Sequence, residues 1–153
     1  MSALNSAFVT GAGGFIGRHL VRQLLAEQAS VVALMMPGEP VPAQWGTRVR
    51  CVTGDVRTLA SLREQIGPVD AIFHLAAVVG DWGAKQEHVD ITVHGTEQAI
   101  DLAIGWGAHF VVTTSVCAYA SALAKGRLDE DSPVGLPSPP YEFVKQEQER
   151  DSH

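Results

Sequence analysis

Apolar residues recur along this chain in two rhythms. Nearly uninterrupted apolar runs cover residues 7–10, 30–36, 71–77 and 110–115, and a more polar run covers 48–52. Short apolar runs bounded by turn residues read as strands, and those without polar alternation as strands buried on both faces. Between them, residues 18–25, 59–66 and 86–106 place their apolar positions three and four apart, the spacing of a helix with one buried face. Pro37-Gly38 ends the second strand, Gly67-Pro68 the second helix and Gly107 the long third one, while Thr58 stands where an N-cap belongs. Residues 120–140 carry Pro133, Pro137, Pro139 and Pro140 and the acidic run Asp129-Glu130-Asp131, so a loop is expected there. A last helix begins at Tyr141.

Strands alternating with helices imply a parallel sheet joined by right-handed crossovers, with helices on both faces. The expected fold is therefore a doubly wound α/β domain over residues 1–153, with strand order 3-2-1-4-5. Ligands of such sheets lie beyond the carboxyl ends of the strands, which places Gly11, Asp55, Ala76 and Ser115 on one rim.

Composition narrows the class. With 153 residues the chain is long enough to bury one core. A net charge of −6 with scattered Lys and Arg argues against a nucleic-acid partner, which needs a basic patch to neutralise phosphates. No apolar run approaches the ~20 residues of a membrane span, and residues 1–6 lack the basic start and apolar stretch of a secretory signal. A cytoplasmic protein without a membrane partner is the expectation. The six histidines are dispersed with no His-x-x-x-His pair, so no metal site is expected. Cys51 and Cys117 lie in separate strand-like runs and read as reduced, buried thiols.

The first strand runs directly into Gly11-Ala12-Gly13-Gly14-Phe15-Ile16-Gly17 and then a helix. That order suits a dinucleotide. Gly11 serves a tight turn, Gly14 lets backbone approach a pyrophosphate over residues 14–16, and Gly17 allows the helix to pack on the strand. The free N–H groups and positive dipole end of the helix favour an anion. No Lys follows Gly17, as a P-loop would require.

Tyr141 and Lys145 stand four apart, on one helical face. A free phenol titrates near ~10 and is a poor base at neutral pH, whereas an ammonium beside a phenol favours the ionised form. Such a pair can exchange a proton at a hydroxyl or carbonyl while a nicotinamide exchanges hydride.

Taken together, TGAGGFIG at 10–17, GDV at 54–56, HLAA at 74–77, VHGT at 93–96, TTSVCAY at 113–119, DEDSP at 129–133 and YEFVK at 141–145 resemble the N-terminal part of an extended short-chain dehydrogenase/reductase of the NAD-dependent epimerase/dehydratase family. The resemblance implies a Rossmann-type sheet whose last strands and C-terminal substrate domain are not included, so that the chain reads as a fragment of a longer enzyme. It implies that Tyr141 is the catalytic acid/base, that Lys145 assists it and holds the nicotinamide ribose, and that the Ser115 hydroxyl bonds the reacting oxygen. The cofactor residues it implies are Gly11, Gly14, Phe15, Ile16, Gly17, Asp55, Val56, Leu75, Ala76 and Ala77, together with Tyr141 and Lys145. Asp55 would stand beside the adenine, Val56 would pack on it, and residues 75–77 would form a wall along the cofactor.

The sequence also departs from the family. Thr92 stands where the family has an Asn that orders a proton-relay water. The second strand ends in Met35-Met36, with Glu39 beyond Pro37, where NAD enzymes carry an acidic residue and NADP enzymes recruit an Arg. The cofactor is thus NAD or NADP, leaning to NAD. The expected activity is that of an epimerase, dehydratase or reductase acting on a nucleotide-sugar or a small carbonyl or alcohol substrate, with the loop 78–83 and its Trp82 either meeting that substrate or packing at the surface. The alternative is a dinucleotide-binding module or redox sensor without catalysis, and a homodimer is left open.

Overall fold

The computed structural model describes residues 4–152. Strands β1 (Ser6–Thr10), β2 (Ser30–Met35), β3 (Val49–Thr53), β4 (Ala71–His74) and β5 (His109–Val112) form one parallel sheet in the order β3-β2-β1-β4-β5. This is the order expected from the alternation. Helices α1 (Phe15–Ala26), α2 (Leu59–Ile66), α3 (Lys85–His88), α4 (His94–Trp106) and α5 (Pro140–Asp151) complete the chain's longer elements.

Successive side chains of a strand point to opposite faces, and β1 divides its burial accordingly. Ala7 and Val9 join Val21, Leu24 and Trp45 in the core beneath α1, while Phe8 joins Leu34, Leu59, Ile72 and Leu102 beneath α2 and α4. Both faces of the central strands are therefore covered, which is the doubly wound arrangement. The register pairs Thr10 with His74, so the chain leaves β1 and β4 at the same level. Gly11 and Leu75 emerge side by side, and the loops at this carboxyl edge converge.

Several boundaries differ from the sequence reading. α1 begins at Phe15, ahead of residue 18, because Gly17 lies inside the first helical turn. β4 stops at His74 although the apolar run continues to Ala77: the Leu75 N–H is shared between the Thr10 carbonyl at 3.3 Å and the Thr10 hydroxyl oxygen at 3.2 Å, and the Ala76 N–H goes to that hydroxyl oxygen at 3.2 Å. A π-helical turn over Val89–Val93 interrupts the helix expected over 86–106, where the Thr96 hydroxyl donates to Thr92 O at 2.6 Å and competes for that carbonyl. Thr58 precedes α2 without capping it, its hydroxyl donating to Asp55 O at 3.1 Å. Asp55 instead caps the 3-10 turn Val56–Thr58 that leads into α2, its carboxylate accepting the Arg57 N–H at 2.8 Å.

The outer strands are less buried than expected. Cys51 is exposed rather than buried, because β3 is an edge strand that buries only Val49 and Val52; Cys117 is half-buried, and both thiols are free. β5, the other edge, is not buried on both faces, and Val111 is 46% exposed. The segment after β5 turns through a 3-10 stretch, Val116–Lys125, with a kink at Ala120 (φ 48°), and continues as loop to α5. Among the described residues, no helix is long and apolar enough to cross a membrane.

Candidate functional site

The turn after β1 is closed by the Gly14 N–H donating to Gly11 O at 3.1 Å, and the first helical bond runs from Arg18 N to Gly14 O at 3.0 Å. The N–H groups of Phe15, Ile16 and Gly17 precede that bond, so they form the donor end of α1. Gly11 has φ +64°, and a Cβ there would lie 2.9 Å from Ala76 N, against the loop leaving β4. A Cβ on Gly17 would overlap Gly11 O, so only glycine lets α1 start this close to the turn. Gly13, which the motif spacing leaves as a free position, is constrained less: a Cβ there would meet the Glu39 carboxylate, the end of a side chain that can move, rather than backbone.

These residues line a cavity of about 510 Å³ at the carboxyl edge of the sheet. The structure brings together on its wall Gly11, Gly14, Phe15, Ile16 and Gly17 from the turn, Asp55 and Val56 after β3, and Leu75, Ala76 and Ala77 after β4. Met36, Glu39, Val78 and Val79 also line it, as do Leu34, Gly54 and Ile91, which the sequence reading did not assign to a site. Leu34 read only as strand core. Ile91 gave no local signal, because it reaches the cavity through the π turn.

Electrostatics of the wall follow from local bonds. Asp55 Oδ2 accepts Arg57 Nη2 at 2.6 Å and Oδ1 accepts Arg57 Nε at 3.0 Å, and these hydrogen bonds hold the Asp55 carboxyl below its ordinary range. Asp55 thus caps a turn and faces the cavity at once. Val56 is kept in place from behind by Gly95, where a Cβ would lie 2.8 Å from Val56 Cγ2. The Glu39 carboxylate folds back across the end of β2 and accepts the Met36 N–H at 2.9 Å. Behind the wall, the Thr10 oxygen already accepts two N–H groups, so its own proton goes to His74 Nδ1 at 2.9 Å. His74 is fully buried, and burial, with the Lys145 charge second, lowers its pKa to about 3.

Ser115, Tyr141 and Lys145 stand outside the lining of this cavity. Ser115 follows β5, half-buried, and its hydroxyl oxygen accepts the Cys117 N–H at 3.2 Å. Tyr141 opens α5, half-buried, and Lys145 Nζ lies 5.8 Å from its ring centroid. Lys145 is only 3% exposed and donates to Thr113 O at 3.0 Å, two residues before Ser115. The structure therefore brings Tyr141 and Lys145 together on α5 and ties Lys145 to the segment after β5 in which Ser115 lies. Burial lowers the Lys145 pKa to about 8. Thr92 is buried, and its hydroxyl oxygen accepts the Val78 N–H at 3.1 Å. Trp82, in the loop 78–83, is 90% exposed.

The cavity is flanked by a glycine turn with N–H donors, an aliphatic wall and two acceptor carboxylates, an arrangement suited to an extended ligand with a phosphate at the turn and hydroxyls near the carboxylates. Known proteins match the chain on these terms. It is 34% identical over 149 residues to a sterol demethylase protein B of Methylococcus capsulatus, covering 95% of this chain and 45% of that protein. A 2-alkyl-3-oxoalkanoate reductase of Stenotrophomonas maltophilia is 32% identical over 107 residues, 70% of this chain and 32% of that one. Among solved structures, MoeE5 in complex with UDP-glucose and NAD superposes with a TM-score of 0.77 at 30% identity, covering 97% of this chain and 48% of MoeE5. The fold is shared also with Bordetella bronchiseptica WbmH in complex with NAD+, TM-score 0.84 at 21% identity, over 96% of this chain and 51% of that one. The chain spans about half the length of these relatives, or less. The model of the NAD-dependent epimerase/dehydratase family matches residues 7–153, nearly the whole chain, and to that family, whose members are NAD-dependent enzymes of extended short-chain dehydrogenase/reductase type, this chain belongs.

Proposed function

We propose that this chain holds NAD along the cavity and that, in the whole protein, Ser115, Tyr141 and Lys145 move a proton at the reacting oxygen of a small-molecule substrate. The observation that carries the reading is the glycine cradle, in which a Cβ at Gly11 or Gly17 would meet backbone atoms beside the open N–H groups of α1. The pyrophosphate would lie on the N–H groups of Phe15 and Ile16, the adenine beside Asp55 and Val56, and residues 75–77 along the cofactor. Glu39 supports NAD over NADP: a carboxylate at the end of β2 accepts from ribose hydroxyls and repels a 2′-phosphate.

When bound, the cofactor supplies reversible hydride transfer. The protein's own part is the proton. The Tyr141 hydroxyl gives or takes it, the Ser115 hydroxyl holds the reacting oxygen, and the Lys145 charge favours the ionised phenol. Lys145 would also hold the nicotinamide ribose. The UDP-glucose seen with MoeE5 and the name of the oxoalkanoate reductase support a nucleotide-sugar or a carbonyl or alcohol substrate.

Tyr141→Phe in the full-length protein tests this reading, because it keeps the ring and removes one hydroxyl. Turnover should fall by about 10²–10⁴-fold while NAD affinity stays within twofold. Near-normal turnover would favour the second reading, a dinucleotide-binding module without catalysis. One observation supports that reading: Ser115, Tyr141 and Lys145 lie outside the cavity lining.

A further inference from the structure

α5 buries a polar pair on consecutive turns. Lys145 is 3% exposed and Gln148 1% exposed, and Lys145 Nζ donates to Gln148 Oε1 at 2.7 Å. Gln148 Nε2 donates to Thr96 Oγ1 at 2.9 Å, and the Thr96 hydroxyl donates to Thr92 O at 2.6 Å. The sense of this chain is fixed. The Thr96 proton is committed to a carbonyl, so its oxygen is left to accept, and the carboxamide must turn its NH₂ to Thr96 and its oxygen to Lys145. The far end is anchored too, since the Thr92 hydroxyl oxygen takes the N–H of Val78 on the cavity wall.

Both acceptors of the buried ammonium, Thr113 O and Gln148 Oε1, are neutral, and no carboxylate pairs with Lys145 among the described residues. The charged and titratable groups around α5 are engaged elsewhere. On α3, Lys85 lies over the Phe143 ring and His88 bonds Trp82 O; Asp90 and Glu97 face His94; Tyr119 donates to Asp129 O. On α5 itself, Glu142 takes the Ser138 N–H, Glu147 pairs with Arg150, Glu149 lines a cleft with Tyr119, and Asp151 lies among Glu97, Glu147, Arg150 and His94. His74 of β4 is buried and neutral and offers no negative charge. A charge buried without a counter-ion persists only through such dipoles, and a hydrogen bond to a charged group is among the stronger ones.

We propose that Gln148 is a positioning residue: its carboxamide, clamped by Thr96, holds the Lys145 ammonium beside Tyr141 and keeps it charged near neutral pH. Its consequence for turnover rests on the reading of Tyr141 and Lys145 as the proton-transfer pair, whereas the bond itself does not.

The test is NMR titration of the lysine side-chain carbons, with Lys145→Arg identifying the signal. Replacing the acceptor in Gln148→Leu should lower the Lys145 midpoint by about one pH unit, and placing a carboxylate there in Gln148→Glu should raise it by at least as much. Gln148→Glu keeps the shape and an acceptor for Lys145 while giving up the donor to Thr96, so it reports even if the leucine variant fails to fold. The alkaline limb of the kcat profile, on which the ammonium is lost, should shift in the same two directions, a pattern that loss of packing alone does not produce. A Lys145 midpoint in Gln148→Glu within about 0.3 unit of wild type overturns the proposal. Failure of the catalytic reading looks different: full turnover in Tyr141→Phe, with the NMR shifts intact.

Discussion

Replacing Gly17 by Ala sets two effects against each other. In a helix the change favours folding by about 0.5–1 kcal/mol, because glycine has more freedom to lose. Here the new Cβ would overlap Gly11 O and lie 2.7 Å from both Ala12 Cα and Ala12 O, all backbone atoms. The turn cannot retreat, since Gly11 is held at φ +64° with the Ala76 N–H behind it. Overpacking costs about 1–3 kcal/mol when side chains can yield, and more when only backbone can move. The steric term wins, and a net loss of at least about 2 kcal/mol is expected. Gly14→Ala is the control: its Cβ meets only Gly11 O at 3.2 Å, at an ordinary φ of −70°, and stability should stay within about 1 kcal/mol. Urea unfolding followed by circular dichroism measures both. A Gly17→Ala protein as stable as wild type would refute the close docking of α1 on the turn.

Two further outcomes follow from the site. His74 is neutral when folded and titrates near 3, whereas in the unfolded chain it protonates near ~6.5; its contribution is therefore complete above about pH 6.5 and is lost towards pH 3, at about 1.4 kcal/mol per pH unit. Unfolding free energies measured from pH 7 to 4 in wild type and His74→Asn check this, and equal slopes would contradict it. Glu39→Gln keeps the shape of the β2 end and removes its charge, so the ratio of NAD to NADP affinity should drop by about tenfold or more, and an unchanged ratio in competition binding would remove Glu39 from cofactor selection.

The strand order was legible because each crossover joins an apolar run to a helical one, and handedness then leaves few arrangements. The glycine turn was legible because Gly11, Gly14 and Gly17 meet backbone constraints at fixed spacing. Limits of elements were harder. Residues 75–77 are as apolar as a strand, yet they form a cavity wall once the Thr10 hydroxyl oxygen takes the N–H groups of Leu75 and Ala76. Cys51 reads as core from its neighbours, but edge position decides exposure and only pairing reveals an edge. Contacts distant in sequence left no local mark, as with Glu39 over Gly13 and Gln148 between Lys145 and Thr96. Tyr141 and Lys145 were visible as a helical pair, whereas the acceptors that hold the lysine were not.

The central claim is that the glycine turn and its cavity hold a dinucleotide. Calorimetric titration of NAD into wild type and Gly14→Val tests it most directly, since Gly14 lines the cavity and valine's extra carbons would take up room that a phosphate needs to approach the turn. Saturable binding to wild type, weakened at least about tenfold in a folded Gly14→Val protein, is the predicted result; equal affinity for both proteins would contradict the account.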